Sequence, residues 1–278
     1  MFRKFLSILL LLVLFSSPSA AERVVSLYGS YAEAWLEAGG TLVGVTDDAI
    51  HERHLETDAA IIGTNKAPHL ELILSLQPDW VILSADIAAQ QAIQEVLEGA
   101  GIACSAFRVD TWQDYAKMMD VFTQRTGRRD IYNHQVLPMA DDIRSIIAEA
   151  RTHESVEVLL LRAYSTGVKA KGADNLAGVM LQDLGCVNLA DKHPSLLEEL
   201  SLESIIAEDP DWIFVSVMGG DEAAAQQALN ATLLSNPAFA SLTAVQEGRL
   251  HILPRDLFHY KPNARWRESY AYLCDLLW

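Results

Sequence analysis

The chain has 278 residues, 50% apolar and 21% charged, a globular composition that excludes a disordered or fibrous protein. Lys and Arg number 21 against 37 Asp and Glu, for a formal charge of −16. So acidic a surface repels phosphate backbones and anionic lipid, which makes nucleic acid and a peripheral membrane poor partners. The length suits one large domain or two lobes. Cys104, Cys186 and Cys274 stand far apart with no CxxC pair, so no disulfide framework is expected.

Residues 1–21 read as a secretory signal peptide. Arg3 and Lys4 precede an apolar run from Phe5 to Phe15, too short for a stable membrane span. Small residues from Ser16 to Ala21 follow, with cleavage expected near Ala20 or Ala21. No cysteine at this point offers a lipid anchor. A soluble periplasmic protein is expected.

Residues 22–110 read as an α/β lobe. Val24–Leu27 and Leu42–Val45 are strand-like around a helix from about Ser30 to Ala38. Ile87–Leu97 reads as a helix and Ile102–Ala106 as a strand. Between them stands Leu70–Ser84, LELILSLQPDWVILS, which returns 132 residues later as Leu202–Ser216, LESIIAEDPDWIFVS. Each copy reads as a short helix, a proline stop, and a strand. The unbroken apolar runs after the prolines fit strands buried on both faces of a parallel sheet.

Residues 111–154 carry no strand pattern and read as a helical connector. Gly127 divides a first helix from a longer one, Arg129 to about Arg151, in which Pro138 should kink the axis or free a carbonyl. About 22 helical residues reach roughly 33 Å, enough to bridge two small lobes. Residues 155–278 repeat the α/β plan. Strands are expected at Val156–Leu161, Trp212–Val215 and Arg249–Leu253, with helices at Leu176–Leu184, Asp221–Leu229 and Asn263–Leu277. Trp266 should pack the last helix against its lobe. The fold class is α/β: two lobes with mainly parallel sheets covered by helices, joined by a single long α-helix.

Ligands of open α/β sheets gather beyond the carboxyl ends of the strands. Those loops supply Tyr28, Tyr31, Lys66, Arg162, Tyr164, Arg255, Phe258, His259, Tyr260 and Arg265 as candidate binding residues. The loop PRDLFHYKPNAR, from Pro254 to Arg265, is the richest. Aromatics offer flat contact surfaces, and Arg and Lys offer charge to carboxylates and oxyanions. His51 and His54 in HERH have a spacing that can hold zinc, but the segment is polar and reads as a solvated loop. No direct metal site and no cofactor of the protein's own are expected. The sequence holds no GxSxG, HExxH, P-loop or dinucleotide fingerprint, so an enzyme is not expected.

Arg23–Gly40, Gly63–Ser84, Gly172–Asn188, Leu202–Ser216 and Phe239–Pro254, taken together and in order, resemble the substrate-binding proteins of ABC importers for iron-siderophores, haem and cobalamin. The resemblance covers essentially the whole chain after residue 21. It implies two lobes on one long helix, a metal chelate in the cleft, and delivery to a permease dimer in the inner membrane. The ligand would bring its own metal, such as Fe or Co, and the protein would be a monomer. His259 or Tyr260 could then be an axial haem ligand. Glu71 and Glu203 hold the same place in the two copies, where a helix dipole favours a carboxylate. The resemblance implies that they meet permease arginines. An oxyanion receptor of the same fold, or an exported α/β enzyme, are the alternatives.

Overall fold

The computed structural model describes residues 22–219 and 222–278. The expected signal peptide lies outside the described residues, as does Asp221 at the expected start of a helix.

The first half lays down β1 (Val24–Ser26), β2 (Gly44–Val45), β3 (Ala60–Ile61), a hairpin of β4 (Gly63–Thr64) and β5 (Ala67–Pro68), then β6 (Trp80–Ser84) and β7 (Ala103–Phe107). Apart from the hairpin these form one parallel sheet in the order β3-β2-β1-β6-β7. The second half supplies β8 (Glu157–Tyr164), β9 (Gly167–Ala170), β10 (Val187–Asn188), β11 (Trp212–Val217) and β12 (Leu250–Ile252). Here the parallel order is β10-β8-β11-β12, and β9 adds antiparallel to the distal half of β8.

The repeated Pro-Asp-Trp segment has a structural reason. Each copy opens an inner strand, β6 between β1 and β7, and β11 between β8 and β12. Asp79 accepts the Arg23 backbone N–H at 2.8 Å, and Asp211 accepts that of Glu157 at the same distance. The aspartate thus pins the start of the neighbouring strand in both sheets. The tryptophan that follows begins the buried run. Trp80 is 1% exposed and donates its indole N–H to Ser105 at 3.1 Å.

Thr111 caps the first connector helix, Trp112–Thr126, by accepting the Asp114 N–H, and Gly127 ends it at a φ of +72°. That helix packs on the first sheet, where Phe122 stands edge-on to Trp35, Trp80 and Phe107. The chain then runs as one helical stretch, Arg129–Ile131, a π turn at Tyr132–Val136, and Leu137–Ala150. The π turn absorbs Pro138: the Leu137 N–H reaches back five residues to the Tyr132 carbonyl, so the helix continues through the proline. The closing helix, Trp266–Leu277, lies against Leu137–Ala150, with Trp266 fully buried. One apolar cluster runs from Val24 and Trp35 through Met139 and Ile143 to Val158, Phe214 and Leu273. The linking helix is therefore part of the core on both sides, which resists hinge motion.

Candidate ligand-binding cleft

Chain segments leaving the carboxyl ends of the two sheets face each other across a cavity of about 470 Å³. The first lobe lines it with Tyr28, Asp48, Glu52 and Lys66, the second with His259 and Tyr260. A smaller cavity of about 340 Å³ adjoins it, sharing Glu52 and Tyr260 and adding Arg53, Arg255 and Arg265. Both volumes lie in the range of small-molecule sites.

Tyr28 stands just before the helix Gly29–Glu37, its ring 4.9 Å from that of Tyr31. Burial, with the Asp48 and Glu52 carboxylates nearby, pushes its phenol up to about 12, so it stays protonated at neutral pH. His259 holds Nδ1 2.7 Å from the Val217 carbonyl. A carbonyl only accepts, so Nδ1 carries the proton and Nε2 keeps a free lone pair. Burial holds this imidazole below its ordinary pKa and favours that neutral form. The Tyr260 ring packs 4.4 Å from His259, and the Arg53 and Arg255 guanidinium carbons lie 5.8 and 5.6 Å from its centroid. Arg255 also donates to the Tyr260 hydroxyl at 3.1 Å and to the Gly219 carbonyl at 2.9 Å.

Six of the expected residues thus line the two cavities: Tyr28, Lys66, Arg255, His259, Tyr260 and Arg265. Arg265 does so while paired with Asp256 and Glu268. Four are not among the residues that line these two cavities, though Arg162 stands near enough to His259 for its charge to act on that imidazole. Tyr31 is fully buried and donates its hydroxyl to the Phe107 carbonyl at 3.1 Å, because its place on the helix turns it into the core. Phe258 is 2% exposed and packs against Tyr272. Arg162 and Tyr164 lie within β8, not in a loop after it, because pairing with β9 prolongs the strand.

The segment Asp47–His54 is the part that the sequence conceals. It forms a one-turn helix, Asp48–His51, and Asp47, Asp48, Glu52, Arg53 and His54 line the two cavities. Asp48 accepts the Gly29 N–H at 2.8 Å and the Asn65 side-chain amide at 3.1 Å. The approach demands glycine at residue 29, since a Cβ there would meet the Ala49 nitrogen at 2.7 Å. Arg53 pairs with Glu33. His51 and His54 are exposed, and no group of three His, Cys, Asp or Glu among the described residues could hold a metal ion.

Glu71 and Glu203 are exposed in the first turns of the helices Leu70–Ser75 and Leu202–Glu208. These helices precede the amino ends of β6 and β11, so each begins toward the carboxyl-end side of its sheet, which sequence alone did not indicate. Neither glutamate is among the residues that line the two cleft cavities.

Two parallel-sheet lobes on a helical linker, with a cleft between strand-end segments, define a two-lobe binding protein. Residues 24–257 match the model of the periplasmic binding protein family Peripla_BP_2, and the chain belongs to that family. Its members are binding proteins, not enzymes, and work with ABC permeases. The chain is 26% identical over 243 residues to the Fe(3+)-citrate-binding protein YfmC of Bacillus subtilis (strain 168), covering 84% of this chain and 74% of that one. A periplasmic heme-binding protein from Pseudomonas aeruginosa matches with a TM-score of 0.69 and 25% identity over 91% of each chain. The vitamin B12-binding protein BtuF of Vibrio cholerae shares the fold, with a TM-score of 0.72 at 17% identity over 92% of this chain and 96% of that one. No helix among the described residues is long and apolar enough to cross a membrane.

Proposed function

We propose that this protein is exported, loses its signal peptide near Ala20–Ala21, and captures a metal chelate in the cleft for delivery to an ABC permease. The observation that carries this reading is the cavity between Tyr28, Lys66, His259 and Tyr260, contributed by both lobes. Flat rings with a few converging polar groups suit a rigid chelate. The metal, Fe or Co, arrives as part of the cargo, and the protein needs no cofactor of its own. Named relatives that bind ferric citrate, heme or vitamin B12 support the same class. The carboxylates Asp47, Asp48 and Glu52 in the cavity weigh against a simple oxyanion as ligand. Glu71 and Glu203, one on each lobe and both exposed, are the docking charges toward the permease, and the protein acts as a monomer. Calorimetric titration of the mature protein with ferric chelates, haem and cobalamin tests the reading. Saturable binding of one of them is expected. Tight binding of molybdate with no response to any chelate would replace it with the oxyanion reading.

A further inference from the structure

Charges of both signs line the cleft. Arg53 and Arg255 approach Tyr260, with Arg53 paired to Glu33 and Arg255 3.8 Å from Glu222. The carboxylates Asp47, Asp48 and Glu52 line the larger cavity together with Lys66. Asp48 is the informative one. It is 7% exposed, lines the larger cavity, and spends Oδ2 on Gly29 and Asn65. Its Oδ1 is buried and accepts nothing. A buried carboxylate oxygen without a donor is costly, and the Tyr28 phenol beside it is not bonded to it.

We propose that Asp48, flanked by Asp47 and Glu52, is a specificity subsite that receives an N–H donor of the ligand, an ammonium or an amide. This rests on the reading of the cleft as a metal-chelate site and narrows it. The cargo is a ferric chelate whose periphery carries nitrogen donors on the side facing the first lobe. A chelate rimmed there only by carboxylates, as ferric citrate is, would set like charge against three acidic side chains.

The test uses three probes: a ferric trihydroxamate with a free terminal ammonium, the same chelate N-acetylated at that terminus, and ferric citrate. Each is titrated calorimetrically into the mature protein, Asp48→Asn and Glu52→Gln. The ammonium chelate should bind the unaltered protein at least about tenfold tighter than ferric citrate, the scale of one hydrogen bond to a charged group. Asp48→Asn keeps an oxygen for Gly29 but presents an amide N–H to the ligand, so it should remove that preference. Glu52→Gln, at an exposed residue, reduces the preference without touching the Gly29 contact and decides the matter should Asp48→Asn fail to fold. Equal binding of the acetylated chelate assigns the subsite to an amide donor, and weaker binding assigns it to the ammonium. Ferric citrate binding as tightly as the ammonium chelate, or a preference unchanged in both variants, overturns the subsite and leaves the metal-chelate reading standing. Failure of all three probes to bind overturns the subsite, and failure of haem and cobalamin as well overturns the metal-chelate reading.

Discussion

Asn263 donates its side-chain amide to the Ser30 carbonyl at 2.7 Å, fastening the loop before the final helix to the helix after β1. The same amide reaches Glu33 at 2.5 Å, and Lys261 pairs with Asp110 at 3.0 Å a little farther along. Asn263 is 1% exposed and holds a φ of +51°, a conformation that asparagine tolerates better than most residues. With the linking helix buried in a shared core, these ties make the two lobes move little. Scattering with and without ligand should give nearly equal radii of gyration, unlike a flexible-hinge binding protein. Asn263→Ala should cost about 1–3 kcal/mol in denaturant unfolding, the penalty for a lost buried hydrogen bond. A large compaction of the unaltered protein on binding would show that the linker and these ties do not restrain the lobes.

His259 and Tyr260 form the wall that the second lobe presents to the larger cavity. Tyr260→Ala should weaken ligand binding by more than about 1 kcal/mol, the threshold for a contact that matters in an interface. His259→Ala should act in the same direction through loss of its Nε2 acceptor. Thermal midpoints of both variants, measured alongside calorimetric affinities, separate a binding effect from unfolding. Unchanged affinity in both would move the site away from this loop.

Glu37 gives a pH signature of its own. Burial pushes its carboxyl up to about 7, against an ordinary value of 4.5, with Glu33 adding to the shift and the Tyr115 hydroxyl, 3.3 Å away, opposing it. The folded state therefore holds a proton that the unfolded chain releases. The associated stability is full below pH 4.5 and is lost as pH rises through about 7. The loss amounts to at most about 3 kcal/mol. Glu37→Gln should flatten this part of the profile, and the difference in thermal midpoint between the two proteins from pH 5 to pH 8 measures it. A difference independent of pH would mean that Glu37 is ionised throughout.

The docking glutamates act after capture. Glu71→Ala and Glu203→Ala should leave the affinity of the isolated protein unchanged. Uptake through the reconstituted importer should fall in each and most in the double variant, and Lys at both sites should lower it further, by roughly tenfold or more, since like charges would meet. Normal uptake by the double Lys variant would reduce both residues to ordinary helix-start carboxylates.

The scaffold was legible because its signals are physical and local. The two Pro-Asp-Trp segments mark inner strands, since each aspartate has an amide to pin and each apolar run has two faces to bury. The closing helix and the division at Gly127 followed from periodicity and from glycine's freedom at positive φ. The candidate cleft was legible in part. Tyr28, Lys66, His259 and Tyr260 follow strand ends in the sequence and line one cavity in the structure. Asp48 could not be found this way, because a short polar segment carries no periodicity, and the contacts that hold it, to Gly29 and Asn65, come from elsewhere in the chain. The burial of Tyr31 and Phe258 was not legible, because an aromatic near a strand end looks the same whether it faces a cavity or the core. Arg162 and Tyr164 were expected in a loop and lie in β8, because β9, a short antiparallel addition, could not be seen behind the turn that precedes it.

A cleft that holds a metal chelate should carry it through purification. Absorbance, metal content and the mass of whatever accompanies the exported protein purified from cells test this. Fe or Co near one equivalent is expected, released with an organic chelator on denaturation and lost from Tyr260→Ala. A ferric charge-transfer band, a Soret band or a corrinoid spectrum would each identify the chelate. Protein that carries neither metal nor chelator, and that cannot be loaded with ferric chelates, haem or cobalamin, would contradict it.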